Sequence, residues 1–351
     1  MNSLSRRAAL AAIAAAALRP SGATAQGASP GTTAGTTAGT TPATTPATTA
    51  EAPWPAGPIR IVVPFAPGGS TDAVARLAAP GLQRALGVNI VVENRGGAAG
   101  SLGTDAVAKA RPDGLTWLLT FDSHAVMPAL VPRLPFDLRR DLEPVTLIGG
   151  APYVAACRPD KPFRDLAGVV AAAKANPGGV TFGTPGNGTI GHLVMTLLGS
   201  RAGVSFQHLP YRGGGPAVND AVAGHTDMVV GSAALVSPQI AGGTLRPLVQ
   251  FGPERLPGLS TVPTAAESGF PGLLAEAWWG VFAPARVPAP IVARFHEALS
   301  AAFRDERVAR QITEGQQARL VLEGPEALGR FLDTQVETWT RVVRENDIKP
   351  D

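Results

Sequence analysis

The chain has 351 residues, 45% of them apolar and 16% charged, with 30 basic side chains against 27 acidic. It is long enough for two globular domains, and it lacks the net positive field or arginine-rich stripe of a nucleic-acid surface. Its one cysteine, Cys157, excludes an internal disulfide.

The first 25 residues read as an export signal: Ser5-Arg6-Arg7, an apolar run from Ala8 to Leu18, and Ala23-Thr24-Ala25 as a small-residue cleavage site. The paired arginines suggest the twin-arginine route, and a plain secretory signal fits the same features. Removing residues 1–25 takes away Arg6, Arg7 and Arg19 and no acid, so 30 basic residues become 27 against 27 acidic. No later segment reaches the roughly 18 unbroken apolar residues of a membrane helix. Residues 26–51 repeat GTTAGTT and then PATTPATTA without a large apolar side chain, as a disordered tether would.

From residue 52 onward, strand-like and helical runs alternate. Ile59 to Val63 (IRIVV) has strand propensity, Pro64 and Pro67 stop the ladder, and Gly68-Gly69 permit a tight turn. Ser70, Thr71 and Asp72 are helix-capping types, and Val74, Leu77, Ala78, Leu82 and Leu86 give a helical period over 73–86. A turn of this design aims free amides and the positive end of a helix dipole outward, as an anion site requires.

NIVVEN, a helix over 104–110 and TWLLTF follow. The apolar passage Val145 to Ala156 is read as a crossing into a second unit. There a helix over 166–175 ends at Asn176-Pro177-Gly178-Gly179, and the strand Val180-Thr181-Phe182 runs into GTPGNGTIGH, a second glycine turn opening a helix from Thr189 to about Leu198. The strand VSFQHL precedes Tyr211-Arg212 and Gly213-Gly214-Gly215, a third turn into a helix over 216–223, and then the strand DMVVG. AEAWWGVFA (275–283) reads as a return strand. The last helix, 325–344, carries Leu328, Phe331, Leu332, Val336, Trp339 and Val343 on one face as core packing. The expectation is an α/β protein of two domains, each a mostly parallel sheet flanked by helices: residues 52–150 plus 273–351, and residues 151–272. Two crossing strands would form a hinge beside a cleft.

Several chemistries compete for these motifs. Gly186, Gly188 and Gly191 spell G-x-G-x-x-G, but the acid expected about 20 positions later is missing, since the next strand ends Phe206-Gln207-His208-Leu209. Gly68-Gly69-Ser70 is neither a phosphate loop nor a nucleophile elbow. The histidines at 124, 192, 208, 225 and 296 lack zinc-ligand spacing, so neither metal nor cofactor is expected. A triad of Ser70 or Ser123 with a histidine and Asp72 would make an exported serine hydrolase, a competing reading. Asp220 and Asp227 read as solvated or capping acids, and Arg212 as either a surface charge or a ligand contact.

PFAPGGSTD, VVENRGGAAGSLGTDAVAKARPDG, SHAVMPAL, GTPGNGTIGHL, HLPYRGGGPAVNDAVAGHTDM, PGLSTVPTAAESGFPG and WWGVFAPARVPAPIV occur in this order across the mature chain. Together they resemble the Bug-type periplasmic solute-binding proteins of tripartite tricarboxylate transporters. The resemblance implies a Venus-flytrap fold of type II kind, and a monomer that closes on a small carboxylate in the periplasm for delivery to membrane permease subunits. A variant of that role is a sensor presenting ligand to a membrane kinase. Carried over residue by residue, it points to Phe65, Ala66, Gly68, Gly69, Ser70 and Thr71 on one side of the ligand, and to Gly188, Thr189 and His192 on the other. Ser123 and His124 border the cleft, and Tyr211 and Gly231 complete the expected set. Two positions depart from the family pattern: Ser101 stands where asparagine is frequent, with a cap expected to survive, and Gly231 stands where an acid or amide is frequent.

Overall fold

The computed structural model describes residues 54–131, 133–346 and 348, so the export signal and tether read from residues 1–51 lie outside the described residues. Strand β1 (Ile59–Val63) leads to helix α1 (Ser70–Leu86), β2 (Ile90–Asn94), α2 (Ser101–Ala108), β3 (Thr116–Phe121), α3 (Ser123–Leu130) and the long β4 (Leu142–Cys157). Next come α4 (Leu166–Ala175), β5 (Thr181–Thr184), α5 (Ile190–Ala202), β6 (Gln207–Pro210), α6 (Gly214–Ala223), β7 (Met228–Ser232), α7 (Ala233–Ala241) and β8 (Arg246–Gln250). The chain returns through β9 (Glu276–Pro284), α8 (Ala289–Arg304), α9 (Glu306–Arg310), β10 (Arg319–Glu323) and α10 (Pro325–Glu345).

The strands run in the order β2-β1-β3-β9-β4-β7-β5-β6. β2, β1 and β3 pair in parallel, as do β7, β5 and β6, giving two parallel trios with their own flanking helices. Between the trios the pairing is antiparallel: β9 with β3 and β4, β4 with β7, and β8 and β10 with β4. The expectation of mostly parallel sheets therefore holds for the trios, and the crossing strands make the whole sheet mixed. β4 pairs with β9 over Leu142 to Pro152 and with β7 and β8 over Tyr153 to Cys157, so one unbroken strand serves both halves. Its apolar run without alternation follows from this position, since it is covered on both faces.

Residues from Trp54 onward form one compact unit. On one face, α1 and α8 approach so closely that a Cβ on Gly81 would lie 2.5 Å from the Ala302 Cβ. Trp117 of β3 stacks on Phe295 of α8 at 3.8 Å between ring centroids. On the other face, α10 buries Leu328, Leu332, Trp339, Val342 and Val343, while Phe331 and Val336 from the expected stripe are half-buried. Among the described residues, no helix is long and apolar enough to cross a membrane.

Two local expectations need correction. α1 starts at Ser70, with Gly69 as its N-cap and no side-chain cap, so Ser70, Thr71 and Asp72 lie inside the helix. Asp72 turns back instead to accept the Gly68 amide at 3.0 Å. Ser101 is not a cap either: Gly100 holds that place in a left-handed conformation, and Thr104 binds its carbonyl at 2.9 Å.

Candidate ligand site

The two glycine turns share one backbone geometry. Gly68 (φ 82°) precedes the extended N-cap Gly69, and Gly188 (φ 74°) precedes the extended N-cap Thr189, each followed at once by its helix. The left-handed φ is the reason glycine is needed at both positions. Both turns sit at the C-terminal end of a parallel strand, β1 and β5, where open α/β sheets bind ligands.

Each turn faces the opposite trio. A Cβ on Gly69 would lie 3.2 Å from the Gly214 nitrogen, and one on Gly188 would lie 3.1 Å from the Leu130 side chain of α3. The Ala66 amide donates to the Arg212 carbonyl at 2.8 Å. Ala66, Gly69 and Gly188 therefore stand where the two halves meet.

At the first turn, Phe65 is buried edge-on against Phe121, with ring centroids 6.0 Å apart. Asp72 holds the turn in shape. Besides the Gly68 amide it accepts from Arg76 at 3.0 Å and from the Asn94 amide at 2.9 Å. Burial raises its pKa, but Arg76, the Gly68 amide and Asn94 outweigh burial and leave it below the usual carboxylate value. The amides of Ser70 and Thr71, buried in the first turn of α1, have no acceptor within the helix and no side-chain cap.

The second turn is engaged differently. The Thr189 hydroxyl donates to the Gly186 carbonyl at 2.8 Å, the Gly188 amide points at His192 Nδ1 over 3.4 Å, and His192 stacks on His208 at 4.1 Å. The first turn of α5 meets Asp122 and Tyr153, two residues the sequence reading did not select. Asp122 follows β3 and is wholly buried; its Oδ2 accepts from the Tyr153 hydroxyl at 2.7 Å. Burial pushes the Asp122 carboxyl up to about 8, against the lowering influence of the Tyr153 hydroxyl and of the Ile190 and Ser123 amides. Neither amide makes a well-formed hydrogen bond to Oδ1, which has no partner. Burial, followed by the Asp122 charge, raises the Tyr153 hydroxyl well above its usual value, while the Gly191 amide and Thr189 lower it. Only position marks Asp122 in the sequence: an acid at the C-terminal end of a parallel strand.

The remaining expected residues are dispersed. Ser123 donates to the Ala99 carbonyl at 3.4 Å, and the buried His124 ring packs 4.7 Å from Phe282 with no partner on either nitrogen. Burial alone drives His124 down to about 3, so it is neutral. A serine-histidine pair at 123 and 124 is not formed. The Tyr211 hydroxyl donates to Asp220 at 2.6 Å, and Asp227 receives Lys161 and the Thr181 amide. The space beside Gly231 is filled by Leu235, whose Cδ2 would be 2.6 Å from a Cβ there.

Comparison with known proteins agrees with this architecture. BugT of Bordetella pertussis is 36% identical over 298 residues, spanning 84% of this chain and 91% of BugT. The structure of the periplasmic binding protein BugD superposes with a TM-score of 0.81 at 31% identity, over 85% of this chain and all of that one. MatC from Rhodopseudomonas palustris, solved with bound malate, gives 0.79 at 32% identity, over 83% of this chain and all of MatC. The model of the tripartite tricarboxylate transporter family receptor matches residues 74–348, and the chain belongs to that family.

Proposed function

We propose that this protein is an exported receptor that captures a small organic anion through a carboxylate and delivers it to the permease of a tripartite tricarboxylate-type transporter. Residues 52–150 with 273–351 act as one lobe and residues 151–272 as the other, closing about β4 and β9. The observation that carries this reading is the matched pair of glycine turns, each opening a helix and each facing the other half. The malate held by MatC supports a carboxylate as the cargo class.

In this reading the ligand carboxylate sits on the buried amides of Ser70 and Thr71 at the N-terminus of α1, with Phe65, Ala66 and Gly69 around it. Charge-assisted hydrogen bonds contribute about 1.5–3 kcal/mol each, and a helix terminus adds about 0.3–2. Micromolar affinity needs about 8 kcal/mol net, which several such donors supply after ordering costs. The protein would act in the periplasm after removal of the signal near Ala25.

Calorimetric titration of the purified mature protein with a panel of carboxylates tests the proposal. Saturable binding of at least one organic acid is expected. Binding of a cation or a neutral sugar, with every organic anion silent, would reject it.

A further inference from the structure

We propose that Gln317 fastens the two lobes together beside the crossing strands, and that this side chain sets the closed population, and so the affinity, of the cleft without touching the ligand. The inference rests on the reading of two lobes that close about β4 and β9, and it names a residue that positions one against the other.

Gln317 belongs to the lobe of residues 52–150 and 273–351, in the link between the helical turn 311–315 and β10. Its Oε1 accepts the amide of Gly258, from the lobe of residues 151–272, at 2.7 Å, and its Nε2 donates to the Glu314 carbonyl at 2.5 Å. Both ends of the side-chain amide are engaged, one in each lobe. Gly258 leaves the room this needs, since a Cβ there would lie 2.5 Å from the Gln317 Cδ. Gln317 itself stands at φ 50°, in the left-handed region that is costly for a residue with a Cβ. Such a conformation persists where its surroundings impose it. Here the two side-chain bonds do so, together with the amide of the buried Ala318, which donates to the Ile312 carbonyl at 3.1 Å.

Each partner is tied to the body of its own lobe. Gly258 sits in a loop fastened to β8 by the buried side chain of Gln250, which accepts the Leu256 amide at 2.8 Å and donates to the Leu259 and Val262 carbonyls at 3.0 and 2.7 Å. Two residues beyond Gln317, Arg319 of β10 pairs with Gly150 of β4, and its guanidinium meets Glu276, the first residue of β9, at 2.9 Å. β4 passes from β9 to β7 between Pro152 and Tyr153. The bond from Gly258 to Gln317 therefore spans the pivot, and rotation of one lobe against the other separates the pair. The first glycine turn meets the other lobe backbone to backbone, through Ala66 and Arg212. At the pivot a side chain makes the connection, so one substitution removes it. Losing one such bond moves an open–closed equilibrium, and with it the apparent affinity, by about two- to tenfold.

Small-angle X-ray scattering of the mature protein without added ligand tests this, with thermal melts of the same samples as the control for folding. Gln317→Gly removes the side chain and suits the left-handed backbone. Gly258→Ala, made in the other lobe, pushes the end of the same side chain away and leaves the backbone around Gln317 in place. Both variants are expected to melt close to the wild type and to show a larger radius of gyration. Acids of the carboxylate panel that bind the wild type are expected to bind both variants about two- to tenfold more weakly. Scattering from the folded variants that superposes on the wild type would overturn the inference and leave the receptor reading intact. A change in only one of two folded variants would also overturn it, since both lose the same bond; should one fail to fold, the other decides. Silence of the whole panel would reject the anion reading, and the scattering would still decide the role of Gln317.

Discussion

The Ala66 amide and the Arg212 carbonyl are joined by a 2.8 Å hydrogen bond, so the first glycine turn and the segment before α6 touch backbone to backbone. Around this bond there is no space for side chains. A Cβ on Gly215 would lie 2.5 Å from the Pro67 carbonyl oxygen, and Gly215 has an ordinary helical position that itself accepts any residue. Gly215→Val is therefore expected to prevent closure and weaken ligand binding at least tenfold. The melting temperature should move by no more than about 2 °C, the shift that about 1 kcal/mol gives in a protein of this size. Calorimetry and thermal melts of the same sample check this, and undiminished affinity would contradict it.

Asp72 is the tie of the first turn. Replacing it with alanine leaves the Gly68 amide without its side-chain acceptor and takes from the Asn94 side chain one of two acceptors, the Phe65 carbonyl being the other. We expect a loss of about 1–3 kcal/mol in urea unfolding. Because its folded pKa lies below the usual 3.8, the stabilisation is complete above that value and disappears as pH falls through the lowered one. The difference between wild type and Asp72→Asn should accordingly be constant from pH 5 upward and shrink in acid.

Asp122 behaves in the opposite sense. Its folded pKa of about 8 exceeds the unfolded value of 3.8, so between the two the native state holds a proton that the unfolded state has lost. Its contribution to stability falls by about 1.4 kcal/mol per pH unit across that window and levels off above pH 8. The lowered His124 and His208, each about 3, act the other way, with stability lost as pH falls below 6.5. Unfolding free energies measured from pH 5 to 9 should show Asp122→Asn gaining on the wild type as pH rises; parallel curves would contradict this.

Cys157 sits fully buried in β4, and burial raises its thiol above the usual 9.0 despite Arg246 nearby. Maleimide labelling of the native protein should be at least about a hundredfold slower than in urea, since it must await opening of the strand that joins both halves. Rapid native labelling would show that β4 opens locally.

Much of this architecture is legible in the sequence, because its strands and helices carry their own periodicity and its turns their own glycines. IRIVV, TWLLTF, AEAWWGVFA and the last helix appear within a few residues of where they were expected. β8 and β10 do not stand out, since Arg246–Gln250 and Arg319–Glu323 are short and partly exposed and owe their pairing to β4. α3 is obscured by Pro128 inside it. At the site, the glycine turns are visible because a left-handed φ demands a particular residue. The Asp122–Tyr153 contact is not, because 31 positions separate its members and only the crossing strand brings them together.

Amide-resolved NMR of the mature protein, titrated with a carboxylate that binds, reads out whether the N-terminus of α1 holds the ligand. The largest nitrogen and proton shifts are expected at Gly69, Ser70 and Thr71. Saturable binding that leaves residues 69–71 unmoved would contradict it.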